Sequence, residues 1–280
     1  EICFNICYYL SFQDLTSLRQ TSQQWHALVS FFLRVYWNAM LKKYVSKPGR
    51  FRNILRRARA VVSGSTVLQF ILRQTDLVDW EAQDLDIYCP STTGSSVVNH
   101  LMVVEGYILA PLAADETETG DVVWDTHKYN GAIRHVTALL TPSGRRVDVI
   151  TAIRNSPTEP MTQFWTTLVC NYMSADSVCI TYPRTTFEGV GYINPLRANE
   201  ARVRSCMTKY SSRGFDCQRF DENDAQHTDT DPLPAHCPAT LRSFQDAHCL
   251  RLTFDPVNEA TIKPIFPLYL PAWTWGGDGC

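Results

Sequence analysis

The chain has 280 residues, 45% of them apolar and 19% charged, with a formal net charge of −2. That length allows one large domain or two small ones and a core that needs no disulfide staples, and the composition reads as soluble and globular. The most hydrophobic stretch, Leu28 to Met40, is interrupted by Arg34 and falls short of the roughly 18 to 20 apolar residues a membrane span needs, so no span is expected.

Ile2, Ile6, Tyr9 and Leu10 recur at helical spacing. Ser11 then stands as an N-cap, and Phe12, Leu15 and Leu18 form a second apolar face. Thr21-Ser22 opens a third helix with Trp25, Leu28, Val29, Phe32 and Leu33 on its buried side. The stretch EICFNICYYLSFQDLTSLRQTSQQWHALV resembles an F-box. That family shows a Glu-led first helix, an Asp-Leu near the start of the second, and a third helix that opens with polar residues before an aromatic and a Leu. Glu1, Ile2, Ile6, Leu10, Asp14-Leu15, Leu18, Trp25 and Leu28 fill those positions. The Leu-Pro that commonly precedes the Glu is not in this chain. The resemblance implies that Ile2, Ile6, Leu10, Leu15, Leu18, Trp25 and Leu28 dock on a Skp-type adaptor of a cullin ubiquitin ligase. On the residues alone, a helical hairpin that packs on the next domain is the rival reading.

Pro48-Gly49 marks a boundary. The expected organisation is a helical module at 1–47, a second domain at 48–219, and an acidic linker with a C-terminal extension at 220–280. Phe51 to Ala58 reads as a basic helix, Ala60 to Val62 as a strand, Ser65 to Arg73 as a helix and Asp84 to Cys89 as a strand. Ser95 to Gly106 looks helical, Asp115 to Asp121 forms an acidic loop, and Ala132 to Leu140 with Arg145 to Ala152 forms a hairpin closed by Thr141-Pro142-Ser143-Gly144. Glu159 to Asn171 is expected to be a helix, Val178 to Thr181 a strand, Asn199 to Tyr210 a helix stopped near Gly214, and Leu250 to Phe254 a further strand.

The chemistry gathers around Gly64 and Ser65, a Gly-Ser turn after an apolar strand that offers backbone N–H groups and a hydroxyl to phosphate oxygens. Asp84 and Asp86, two apart on a strand, point to one face and suit a hard divalent cation. Asp148 lies in another strand-like run and could complete the cluster. This ordered set resembles the nucleotidyltransferase superfamily, and SGSTVLQF, DLDIY, RRVDVI, YPRTTFE and KYSSRGF together are similar to a group of fungal proteins that join an F-box-like start to such a domain. The resemblance implies an α+β fold with a mixed sheet and flanking helices. It also implies magnesium at Asp84, Asp86 and Asp148, triphosphate at Gly64 and Ser65, and transfer of a nucleoside monophosphate to a hydroxyl acceptor. Without the resemblance, Asp86 facing solvent and Asp148 on a hairpin edge would account for the same residues.

Charge is uneven: residues 1–59 carry ten Lys and Arg against two acids, and the remainder sixteen against twenty-six. The basic stripe from Lys42 to Arg59 either steers a nucleotide or nucleic acid to the turn or pairs with the acidic remainder. The ten cysteines sit mostly in apolar contexts, which suggests buried thiols in a reducing compartment, cytoplasmic or nuclear. His236-Cys237 and His248-Cys249 lack the C-x-x-C spacing that would argue for zinc. No G-x-S-x-G elbow or Walker A loop occurs, and Gly189-Val190-Gly191 lacks the third glycine of a dinucleotide fingerprint. Glu1 reads as the interior of an element and Cys280 as a second cut, so native termini are expected beyond both. Two functions remain, an F-box adaptor with an inactive nucleotidyltransferase-like domain or an active magnesium-dependent nucleotidyltransferase.

Overall fold

Ser11 makes the first corner of the chain. Its hydroxyl accepts from the Asp14 backbone N–H at 3.1 Å while the Asp14 carboxylate accepts from the Ser11 N–H at 3.2 Å, a reciprocal cap. The computed structural model describes residues 2–111, 131–220, 235–237, 240–254 and 270–275. Helix α1 (Ile2–Tyr9) precedes the cap and α2 (Phe12–Arg19) follows it. The Ser22 side chain caps α3 (Gln23–Leu41) by accepting from the Trp25 N–H at 3.2 Å. Pro48 opens α4 (Pro48–Ala58), at a position where a helix has no use for a backbone N–H.

From there the chain alternates strands and helices: β1 (Val61–Ser63), α5 (Ser65–Ile71), β2 (Asp84–Cys89), α6 (Gly94–Val104), β3 (Ile108–Leu109), β4 (Ile133–Leu140) and β5 (Arg146–Ala152). After them come β6 (Tyr172–Met173), β7 (Ser177–Ile180), α7 (Pro183–Phe187), β8 (Val190–Tyr192), α8 (Ala201–Ser211), β9 (Asp216–Gln218), β10 (Arg242–Ser243), β11 (Leu250–Thr253) and β12 (Ala272–Trp273). Eight strands form one sheet in the order β11-β7-β6-β1-β2-β5-β4-β3. Only β2 and β5 run parallel in it; every other pairing is antiparallel. A parallel pair needs a long crossover, and here α6, β3 and β4 supply it. The fold is mixed α+β. No helix among the described residues is long and apolar enough to cross a membrane.

One apolar cluster runs from Cys7 to Phe254 and joins the N-terminal helices to one face of the sheet. Phe70 of α5 lies at its centre, with ring centroids 6.0 Å from Phe12, 5.9 Å from Trp37 and 6.2 Å from Phe254. Arg73, just past α5, donates to the carbonyls of Cys7 and Leu10 at 3.1 and 2.9 Å and of Tyr8 at 3.1 Å, closing the end of α1. The alternation of β2 sends Leu85, Ile87 and Cys89 into this cluster, and Tyr88 into a second one on the opposite face with Met161, Phe244 and Trp275. Asp84 and Asp86 share the Tyr88 side.

The basic stripe is partly spent on the fold. Arg52 and Arg56 both hold Asp176, the turn residue before β7, at 2.6 Å, and Lys43 pairs with Glu81 at 2.9 Å. Those cations pair with acids of the later chain. The helix expected over Glu159 to Asn171 is instead two short 3-10 turns, Glu159–Gln163 and Thr167–Val169. Between them Phe164 is extended and Thr166 bridges to Ile193, so tertiary pairing outweighs the helical spacing of the apolar residues. The late segment, read as an extension, contributes β11 to the main sheet beside β7. The acidic loop at 115–121 and most of the linker after 220 lie outside the described residues.

Candidate functional site

Gly64 turns the chain from β1 into α5 with φ of 77°, a backbone state side chains rarely adopt. A Cβ there would run into Oδ2 of Asp86, so glycine is what lets the turn lie directly on that carboxylate. The register explains the closeness: Ser63 pairs with Asp86 across β1 and β2, and Asp86 pairs with Asp148 across β2 and β5. Asp84 pairs with Arg146 in the same parallel ladder. Period-two alternation places Asp84, Asp86, Arg146 and Asp148 on one face.

Local hydrogen bonds set the start of β2. The Ser65 hydroxyl donates to Oδ1 of Asp84 at 3.2 Å. The Asp84 carbonyl accepts from the Thr66 hydroxyl at 2.7 Å and from the Tyr44 hydroxyl at 3.1 Å. Burial, with Asp84 and Asp148 as like charges nearby, holds the Asp86 carboxyl well above its ordinary range, and Lys209 and Arg146 oppose this only in part. Burial also raises the Asp148 carboxyl, although Arg146 donates to it at 2.9 Å.

These acids form the floor of a cleft of about 240 Å³, small against the roughly 300 to 1,000 Å³ usual for ligand sites. Gly64 and Ser65 are at one side, with Ile133, Val136 and Ile150 from β4 and β5 at another. The facing wall is aromatic and cationic. Phe164 packs 5.7 Å from Tyr88, and Trp165 packs 5.4 Å from Tyr210. Arg202, Cys206 and Lys209 of α8 line the cleft, and Arg197 joins them while bonded to Glu200 at 2.7 Å. All five residues expected to hold nucleotide and metal, Gly64, Ser65, Asp84, Asp86 and Asp148, therefore line one cleft.

Sequence reasoning did not assign the α8 wall to the site. Its signal was present, since 202, 206 and 209 are one helical stripe. A larger hollow, about 490 Å³ between α2, α3 and β11, is lined by Thr16, Arg19, Gln20, Ser22, Gln23, His26 and Leu252, with no carboxylate for this chemistry. Arg19 is engaged there with Thr253 O at 2.8 Å.

Hard carboxylate oxygens are the right donors for magnesium, but they are not assembled around one point. Among the described residues, no three His, Cys, Asp or Glu side chains form a group that could hold a metal as they stand. Asp148 is held by Arg146 and Asp84 accepts from Ser65. Asp84 and Asp86, two apart on one face of β2, present the oxygen donors such an ion takes, whereas the Asp148 carboxylate is engaged by Arg146.

The residues expected to meet an adaptor divide by exposure. Ile2 and Ile6 are 79% and 44% exposed. Leu10, Leu18, Trp25 and Leu28 are half-buried. Leu15 is fully buried, because α2 turns it into the shared core, so it is corrected from a docking residue to a core residue. No family model, no curated protein and no solved structure matches this chain.

Proposed function

We propose that the cleft binds a nucleoside triphosphate with a divalent cation and belongs to a domain of nucleotidyltransferase type. The observation that carries this reading is the Gly64-Ser65 turn lying on Asp86 while Asp86 faces Asp148 across parallel strands. A glycine turn at the edge of the cleft, next to paired carboxylates and across from cations, suits a metal-bound triphosphate. The Ser65 hydroxyl on one side, with Arg202 and Lys209 on the other, would meet phosphate oxygens. Asp84 and Asp86 would hold magnesium, which when bound screens phosphate charge and polarises the scissile P–O bond. Asp148, with its raised affinity for a proton, would take the proton of an acceptor hydroxyl attacking the α-phosphate as pyrophosphate leaves. Phe164 and Trp165 supply apolar faces for the part of the nucleotide beyond the phosphates. Calorimetry with ATP and GTP plus magnesium tests this, beside an Asp84→Ala/Asp86→Ala control. Binding that the control loses supports the reading, and no binding at millimolar nucleotide overturns it.

A second, compatible reading is that the N-terminal helices act as an F-box, docking on a Skp-type ligase adaptor inside the cell. Its support is the exposure of Ile2, Ile6 and Tyr9 on α1, where apolar side chains meet solvent without cover from the described residues.

A further inference from the structure

The hollow between α2, α3 and β11 shares no lining residue with the acid-floored cleft, and its volume of about 490 Å³ falls in the range usual for small-molecule sites. Its charge comes from Arg19, the last residue of α2. The guanidinium is half-buried, with Nε donating to the Ser30 hydroxyl at 3.2 Å and Nη2 to the Thr253 carbonyl at 2.8 Å. Both acceptors are neutral, and Nη1 has no acceptor among the described residues. Burial alone lowers the Arg19 pKa, with no acid close enough to oppose it. Among the described residues no carboxylate lines the hollow either. A cation drawn out of water is ordinarily paired, because losing its hydration without a counter-charge is costly. The neighbouring groups give the sign and shape of the missing partner: Gln20 and Gln23 bring amide N–H donors to the same walls, and His26 brings a ring N–H.

We propose that this hollow is an anion site for a phosphate group, free or carried by a small monoester, with Arg19 as its charge partner and Gln23 and His26 as flanking donors. A guanidinium offers paired, planar N–H groups that meet two phosphate oxygens at once, which leaves a further oxygen for an amide or imidazole. A carboxylate would satisfy Arg19 and leave those donors idle. The volume leaves room for an organic group beyond the phosphate. Because Arg19 already reaches β11 through Thr253, the bound anion would join the N-terminal helices to the edge of the sheet. The inference is independent of the nucleotide reading of the cleft.

The test is calorimetry and thermal unfolding of the whole chain with inorganic phosphate, glycerol 3-phosphate or acetate, at an ionic strength held constant with chloride. Either phosphate is expected to bind the wild type and raise its unfolding temperature, the tighter of the two naming the source, while acetate does neither. Arg19→Gln should weaken the binding about tenfold or more, since it removes a charge-assisted hydrogen bond. Gln23→Glu keeps Arg19 with its bonds to Ser30 and Thr253 and sets a carboxylate against the incoming anion, so it should abolish the response without depending on the fold of the first variant. No binding of either phosphate to the wild type, an equal response to acetate, or phosphate binding that Gln23→Glu retains overturns the proposal.

Discussion

Asp86 is paired with Asp148 in parallel register and with Ser63 in antiparallel register, so one residue position stands between the second acid-bearing strand and the strand that enters the Gly64 turn. The arrangement is costly to the empty fold. Burial and the neighbouring acids raise the Asp86 carboxyl, so the folded chain holds that proton more tightly than the unfolded chain does. Its contribution is full below the ordinary carboxylate value of about 4 and is lost as pH rises through the folded value.

Asp86→Asn is therefore expected to unfold at a higher temperature than the wild type at pH 7, by about 2 to 4 °C for each kcal/mol of repulsion relieved. The advantage should shrink as pH falls toward about 4. Thermal unfolding of both proteins without metal across that range checks it, and a constant difference would rule out titration of Asp86 as the cause.

Gly64→Ala should cost roughly 1 to 3 kcal/mol, because the left-handed backbone is strained and the new methyl meets the Asp86 carboxylate. Nucleotide affinity should fall with it. Gly144 also has positive φ, at 83°, but open space around it, so Gly144→Ala should show backbone strain without loss of binding.

Asp176 behaves in the opposite sense to Asp86. Burial pushes its carboxyl up, but Arg56 and Arg52 more than reverse this and leave it below the ordinary range. Its stabilisation is present above the unfolded carboxylate value of about 4 and disappears as pH falls through the folded value. Asp176→Ala leaves Arg52 buried without its carboxylate, at a cost of about 3 to 5 kcal/mol. Urea unfolding at pH 7 measures it.

Leu15 and Ile6 separate folding from docking. Leu15→Ala should lose about 2 to 5 kcal/mol of stability through the cavity it leaves. Ile6→Asp, on the exposed face of α1, should leave the unfolding midpoint nearly unchanged and abolish binding to a purified Skp-type adaptor. Binding that survives Ile6→Asp would remove α1 from the adaptor surface.

Much of the cleft floor was legible because strand alternation is local: Asp84 and Asp86 share a face whatever the rest of the chain does. The cap at Ser11 and the helix start at Thr21-Ser22 were legible because they too are local, and the structure places the second cap on Ser22. Neighbour relations across strands were not, since nothing in RRVDVI says that Asp148 stands beside Asp86 and Arg146 beside Asp84. The same limit hid the wall made by α8, whose stripe of Arg202, Cys206 and Lys209 gains meaning only when it is folded over the acids. At Glu159 to Asn171 apolar spacing suggested a helix, while the chain uses Phe164 and Trp165 to line the cleft and pairs Thr166 with Ile193.

Arg73 grips the last carbonyls of α1 from just beyond the far end of α5, and Ser65 begins α5 beneath the Gly64 turn. Helix α5 therefore runs between the candidate cleft at its start and the exposed helix α1 at its end. If a nucleotide at the turn and a protein on α1 both shift α5, their binding is coupled through it. Whatever factor either one adds to the other's affinity must then be returned in full.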